Sequence, residues 1–347
     1  MKREQWFFVF SMVPIVLGLF LLEEIVRFAK LAPVLPFELQ DTIVPNEYLP
    51  YMRKPLSSAR VNFGKDMFSY KYNSAGLRDV EHSLKKHENV FRILGLGDSF
   101  THGSGVAFKN TYLYRLEEML NRRDGIHPKV EIIKAGISRF FPEPERIYFE
   151  HYGIQYKPDL VMVGFLLNDV AETYLGINAV RLSRDGKYLV TQEGYRVWEW
   201  GRFLLAHSHL CRFLFGRLIS LKPSIKQPIH WNEIFEDNGF HEKDWQKVES
   251  EYFKILSLAQ SIKARLVLVY IPEPAGMLDD NHSYPAVRLS AWCKKNGAFF
   301  IDVLPSMKKV AQDKTLYWKG DGHCNAAGYK VIADTIYSEL QVQKLVP

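Results

Sequence analysis

The stretch Phe91-Arg92-Ile93-Leu94-Gly95-Leu96-Gly97-Asp98-Ser99 decides the fold. An apolar run of strand length ends in Gly-Asp-Ser, which puts a serine at the carboxyl end of a strand, where open α/β sheets place their ligands. Far along the chain comes Asp321-Gly322-His323, an imidazole and a carboxylate two residues apart. Serine, histidine and aspartate are the parts of a nucleophilic acyl-transfer site. Either triplet alone reads as an ordinary turn. Their joint placement at the ends of predicted elements points to chemistry.

Outward from residue 91 the pattern alternates. Apolar runs at 91–96, 130–133, 159–165, 265–271 and 298–303 read as buried parallel strands. Helical stretches at 110–123, 143–156, 245–263, 284–296 and 326–341 lie between and after them. Such alternation predicts a parallel sheet with helices on both faces. An insertion over 170–244 breaks the rhythm, with a hairpin at Val180–Val190 turning at Asp185-Gly186 and an aromatic helix near 198–220. It follows the third strand at the serine's edge of the sheet, so it is expected to cap the cleft. Trp198, Trp200, Phe203, Phe213 and Phe215 in it read as packing.

Residues 31–90 read as a lead-in, with a short hairpin around Phe68–Tyr72 and a turn signal at Asn73-Ser74-Ala75-Gly76. Ahead of it, Trp6–Leu22 carries no charge and follows Met1-Lys2-Arg3. The run is just short of the roughly 20 residues that span a bilayer, and Ile25 and Val26 extend it. The basic start and apolar middle also fit a cleaved secretory signal, but no clean small-x-small site follows, so residues 6–26 are expected to be a retained transmembrane helix or signal anchor within an N-terminal segment 1–30, with a cleaved signal the second reading. Lys2 and Arg3 favour a cytoplasmic N-terminus and an extracytoplasmic, periplasmic or surface-exposed domain.

The 347 residues are 47% apolar with a net charge of +6, enough for one large domain or two small ones. Basic residues are interleaved with acids, which gives no nucleic-acid patch. Cys211, Cys293 and Cys324 are far apart and odd in number, so they form neither a disulfide framework nor a metal-ligand spacing. No cofactor or metal is implied.

A tetrahedral intermediate needs donors for its oxyanion. Gly136 ends Lys134-Ala135-Gly136 after the second strand, and Asn168 ends Gly164-Phe165-Leu166-Leu167-Asn168-Asp169 after the third. A turn glycine and a helix-capping asparagine are the plainer readings. Their position at carboxyl strand ends favours function. Asp98 reads as the cap of the next helix, His102 as structural, and Asp169 as a brace for the Asn168 loop.

At this point the chain resembles the SGNH hydrolases, also called GDSL esterases and lipases. The resemblance rests on Gly97-Asp98-Ser99-Phe100-Thr101-His102-Gly103, Gly136, Gly164-x-x-x-Asn168-Asp169 and Asp321-x-His323, in that order, over about residues 70–340. Asn73-Ser74-Ala75-Gly76-Leu77-Arg78-Asp79 is similar to the segment preceding the serine strand in membrane-anchored bacterial members. The resemblance implies a flavodoxin-like three-layer α/β catalytic domain over 91–345. It implies Ser99 as nucleophile, His323 as base and then acid, Asp321 as its orienting partner, and Ser99, Gly136 and Asn168 as the oxyanion hole. The substrate would be an oxygen ester on a glycan, a lipid or a small molecule, with O-acetyl groups of envelope glycans the natural case.

Three features depart from the family pattern. Lys134 stands where Asn is common, Ser138-Arg139-Phe140 replaces a smaller glycine-bearing turn, and one residue rather than two separates Asp321 from His323. The last resembles the polysaccharide acetyl-transfer branch, so O-acyl transfer stays open beside hydrolysis. A non-catalytic subunit of a membrane assembly, with a membrane protein partner, is the rival from another class. Arg139 either narrows the site or binds an anion, and Lys134 with it either supports an anionic glycan or is solvated surface.

Overall fold

The computed structural model describes residues 3–35, 40–122, 128–177, 180–183, 189–191, 199–220, 241–277, 283–319 and 321–347. The chain forms two compact units, Met1–Gln40 with Glu193–Pro228, and Asp41–Gln192 with Ile229–Pro347.

The larger unit is built on five strands, β5 (Val90–Gly97), β6 (Lys129–Gly136), β7 (Leu160–Phe165), β10 (Arg265–Tyr270) and β11 (Phe299–Asp302). They pair in parallel in the order β11-β10-β7-β5-β6. Numbered by chain position within this sheet, the order is the 2-1-3-4-5 of the flavodoxin-like fold, whose ligands gather where the order reverses. Here that is between β5 and its neighbours, at the end carrying Gly97.

The two-residue period of a strand divides its side chains between two cores. Leu94, Leu96, Val161, Val163 and Phe165 meet helices α4 (Pro142–His151), α8 (Glu242–Ser261) and α9 (Tyr284–Asn296) on one face. Ile93, Leu160, Met162, Val267 and Val269 meet α3 (Tyr112–Asn121), α10 (Leu304–Ala311) and α11 (Ala326–Val342) on the other. Burial on both faces explains why these strands read as unbroken apolar runs.

The lead-in contains more structure than expected. Short strands β1 (Ile43–Val44) and β2 (Met52–Arg53) pair with each other. A hairpin joins β3 (Ser58–Phe63) to β4 (Asp66–Lys71), with Phe63 opposite Asp66. Its turn is therefore Gly64-Lys65, and the hairpin expected around Phe68–Tyr72 overlaps only its second strand. The turn expected at Asn73-Ser74-Ala75-Gly76 is present: the Gly76 amide donates to the Asn73 carbonyl, and Asn73 Oδ1 accepts from the Ala75 and Leu77 amides.

In the insertion, β8 (Val180–Leu182) pairs with β9 (Leu189–Thr191). The turn expected at Asp185-Gly186 and the side chains of Trp198 and Trp200 lie outside the described residues. The expected single aromatic helix is two, α6 (Glu199–His207) and α7 (His209–Ser220), and both belong to the smaller unit. Among the described residues, that unit's other helix is α1 (Arg3–Phe28), the site of the expected span 6–26. Among the described residues no helix is long and apolar enough to cross a membrane. Within α1, Glu23, Glu24 and Arg27 put charge into the last turns, and Pro14 removes one backbone donor.

Candidate active site

Ser99 opens α2 (Ser99–His102), a single helical turn directly after β5. Asp98 caps it, with Oδ1 accepting from the Phe100 amide at 2.8 Å. This turn lifts the Ser99 side chain above the carboxyl edge of the sheet. Its hydroxyl lies 2.8 Å from His323 Nε2. His323 Nδ1 meets Asp321 Oδ1 in a short hydrogen bond, and the His323 amide donates to the same oxygen at 3.2 Å.

The loop that carries the pair is braced at both ends. The Trp318 amide donates to the His323 carbonyl at 2.8 Å, and Asn325 Oδ1 caps α11 through the Ala327 and Gly328 amides. Gly322 has φ +91°, a conformation that costs glycine little, and it lets Asp321 and His323 face the same way. Two aromatic rings hold the imidazole. Phe100 lies 5.1 Å away at 30°, and Phe63 presents its edge at 5.8 Å and 89°.

Asn168 opens α5 (Asn168–Leu175) after β7. Its Nδ2 donates to Asp98 Oδ2 at 3.2 Å, an oxygen that also lies 3.2 Å from Ser99 Oγ. Its backbone amide donates to Glu273 Oε1 at 3.3 Å. Asp169 Oδ2 accepts from the Leu166 amide and closes this loop, as a brace would. Gly136 ends β6 opposite Gly97. A Cβ there would lie 2.3 Å from the His102 amide nitrogen and 2.4 Å from the Thr101 carbonyl carbon, so β6 and α2 approach this closely only over glycine.

The electrostatics follow from burial and partners. Burial raises the Asp321 carboxyl, but the bonds and charge of His323 outweigh it and hold Asp321 below the ordinary carboxylate range. Burial pushes Asp98 up, against the Phe100 amide, the His323 charge and the Asn168 and Ser99 bonds. Burial also lifts Glu273 to about 7. Glu145 and Asp169 rise well above their usual range through burial and their mutual repulsion with Asp98 and Glu172. His102 is held well below its usual value by burial and by Arg78 and Arg53, so it is a neutral ring bonded to the Tyr72 hydroxyl.

The structure corrects one expectation. Lys134 is neither solvated surface nor an anion receptor. Its side chain is 4% exposed, and its ammonium is paired with Asp79 at 3.0 Å and Glu117 at 2.6 Å. Arg139 is half-buried with φ +64°. The Asn73–Asp79 segment has a mechanical role. Asp79 holds Lys134, and the Arg78 guanidinium donates to the carbonyls of His102, Gly103 and Val106, gripping the turn after Ser99.

Sequence reasoning missed Glu273, Phe63 and Trp318. Glu273 had a usable signal, since Ile271-Pro272-Glu273-Pro274 follows β10 at the ligand-binding edge. Phe63 and Trp318 had none, because the hairpin's reach to the histidine loop is a tertiary fact.

A serine hydroxyl bonded to an imidazole, itself bonded to a carboxylate, can pass its proton to the ring while its oxygen attacks an acyl carbon. The chain is similar in fold to a catalytic mutant of an acetylxylan esterase from Geobacillus stearothermophilus. Identity is 14%, coverage is 72% of this chain and 94% of that one, and the TM-score is 0.43. It is similar also to a lipolytic G-D-S-L protein from Veillonella parvula DSM 2008, at 12% identity, 72% and 98% coverage and a TM-score of 0.42. A putative lipolytic G-D-S-L protein from Desulfitobacterium hafniense DCB-2 gives 12%, 71% and 98%, and 0.41. No curated protein matches. The profile of the GDSL-like lipase/acylhydrolase family matches residues 96–331, which span the serine turn, both candidate donor loops and the histidine loop. The chain belongs to that family and is an ester hydrolase.

Proposed function

We propose that the chain is a serine esterase that removes O-acetyl groups from an envelope glycan. Ser99 Oγ bonds to the acyl carbon while His323 Nε2 takes its proton. The carbonyl electron pair becomes an oxyanion, held by the Ser99 and Gly136 amides and the Asn168 side chain. Collapse of the intermediate breaks the bond to the sugar oxygen, and His323 returns the proton to that leaving oxygen. Water then attacks the acyl-enzyme and gives a proton to His323; the bond from the acyl carbon to Ser99 Oγ breaks, His323 returns the proton to Ser99 Oγ, and acetate leaves. Asp321 orients the ring and stabilises the imidazolium. The observation that carries this reading is the 2.8 Å contact between Ser99 Oγ and His323 Nε2. The half-buried rings of Phe68 and Trp318, 6.2 Å apart in the aromatic group around His323, support a sugar-bearing substrate. α1 is read as a membrane anchor, with the larger unit outside the cytoplasm.

Fluorophosphonate labelling tests the nucleophile. Wild type should label, and Ser99→Ala should not. An assay with an acetyl donor, with and without a deacetylated glycan, tests the outcome. Acetate release that depends on Ser99 is expected. Acetylated glycan in its place would establish acyl transfer. A protein that neither labels nor turns over would be a non-catalytic subunit.

A further inference from the structure

The smaller unit carries a broad exposed apolar surface. On α1, Ile15, Val16, Leu17, Leu19, Phe20 and Leu21 are each between 53% and 62% exposed. At 100° per residue these side chains sweep about 240° of the helix circumference, and the exposed Leu22 and Ile25 fall in the remaining sector. A protein partner covers one stripe of a helix, whereas lipid surrounds it.

The insertion helices continue that surface. Phe203 and Leu204 on α6, and Leu214 and Leu218 on α7, are exposed. Leu214 and Leu218 are four residues apart and share one face. Between Glu199 and Glu233 the sequence holds no carboxylate but carries Arg202, Arg212, Arg217, Lys222 and Lys226. Exposed apolar side chains on a basic helix fit the boundary between acyl chains and anionic headgroups.

The joint between these helices and α1 is held by a half-buried polar cluster. Glu23, near the end of α1, accepts from Ser208 Oγ at 2.7 Å, the His209 amide at 2.8 Å and the Leu210 amide at 2.9 Å. The carboxylate caps the amino end of α7, where a negative charge is favoured. Arg212 Nη1 donates to the Leu205 carbonyl at 3.1 Å, closing the end of α6. Internal bonding of this kind is what a non-aqueous setting demands.

We infer that α6–α7 is a second membrane-contacting element, a helical hairpin docked on α1 through Glu23 and seated in the interfacial layer of a bilayer containing anionic lipid. The inference rests on the reading of α1 as a membrane anchor. It gives the insertion a role in attachment and gives the enzyme two points of contact with the membrane.

The test uses the full-length chain in vesicles of phosphatidylcholine and phosphatidylglycerol. An environment-sensitive fluorophore is attached to Leu17→Cys, Leu214→Cys or Leu218→Cys, each in a Cys211→Ser background. Both α7 sites should show blue-shifted emission, with most loss of emission to a lipid quencher near the headgroups. The α1 site should lose most to a quencher deep in the acyl chains. Quenching on α1 without quenching on α7 would overturn this inference and leave the anchor standing. Quenching at neither would remove the anchor reading and this one with it. Disulfide capture between two copies at Leu214→Cys, with no quenching, would assign the face to a second copy of the chain and also overturn the proposal.

Discussion

The side-chain amide of Asn168 donates to Asp98 Oδ2 across 3.2 Å, on the oxygen that also lies 3.2 Å from Ser99 Oγ. One carboxylate thus sets both the nucleophile and the proposed oxyanion donor before substrate arrives. Asn168→Ala should lower kcat on a short-chain acetyl ester by about 10²–10³, with little change in Tm. Asp98→Ala should lower kcat too, and should also cost the α2 cap about 0.5–2 kcal/mol. If Asp98 acts through Asn168, the double variant should lose less than the product of the single losses. Kinetics of the three variants give the coupling. Fully multiplicative losses would separate the two residues.

Lys134 should behave as a structural counter-ion. Asp79 and Glu117 rely on its ammonium in a buried setting. Lys134→Met leaves two carboxylates short of their cation, a loss of about 3–5 kcal/mol. For a unit of this size that is roughly 6–20 °C in Tm. Thermal melts read the loss. A stable variant whose KM rises only for anionic esters would reinstate Lys134 as a substrate contact.

How much of this was legible in the sequence follows from the range of each interaction. The five strands were readable because burial on both faces leaves an unbroken apolar run, as in Leu160–Phe165. Ser99 and Asn168 stood out because each follows a strand end, and His323 because Asp321 stands two residues before it and a helical stretch follows. The turn at Asn73-Ser74-Ala75-Gly76 was legible from its residue types, whereas the hairpin expected around Phe68–Tyr72 covers only its second strand, because Gly64-Lys65 is a brief turn signal. Lys134 was read as open charge because Glu117 and Asp79 lie 17 and 55 residues away. Helices α6 and α7 follow a catalytic strand in the chain, and only three-dimensional contacts assign them to the unit of α1.

Stability should carry a pH signature from Glu145. Burial, with Asp98 and Glu172 nearby, raises its folded carboxyl well above the ordinary range. The folded state therefore keeps a proton that the unfolded chain releases. Between the ordinary carboxylate range and the raised folded value, this group's contribution to stability falls as pH rises. Glu145→Gln removes that titration. Its Tm relative to wild type should improve steadily as pH is raised from mildly acidic to alkaline. Melts across that range check it, and a constant offset would mean that Glu145 is already ionised in the fold at neutral pH.

Phe63 should matter to turnover although no motif includes it. It ends β3 at the tip of a hairpin and turns its ring edge to His323, while Phe100 covers the ring from another side. Trp318, on the histidine's own loop, lies 6.3 Å from Phe63 and donates through Nε1 to the Gly105 carbonyl at 2.9 Å. The hairpin is tied to the serine side as well, because the Tyr70 hydroxyl accepts from the Gly105 amide at 2.9 Å. The base and the nucleophile are therefore held in register through one aromatic group. Phe63→Ala would confound the reading, since emptying a buried phenylalanine site costs about 3–5 kcal/mol. Phe63→Leu keeps the apolar contact for less than about 1.5 kcal/mol but removes the ring edge. A misplaced base by about 1 Å can cost up to 10²-fold, so Phe63→Leu should lower kcat by about 10-fold. KM should stay near wild type, because Phe63 positions the imidazole and not the ester. Phe63→Tyr, which restores the ring, should recover most of the rate. Fluorophosphonate labelling should slow in parallel with kcat, since it needs the same activated serine. A wild-type kcat with a raised KM in Phe63→Leu would make Phe63 a wall of the substrate cleft and end its role as a positioning residue.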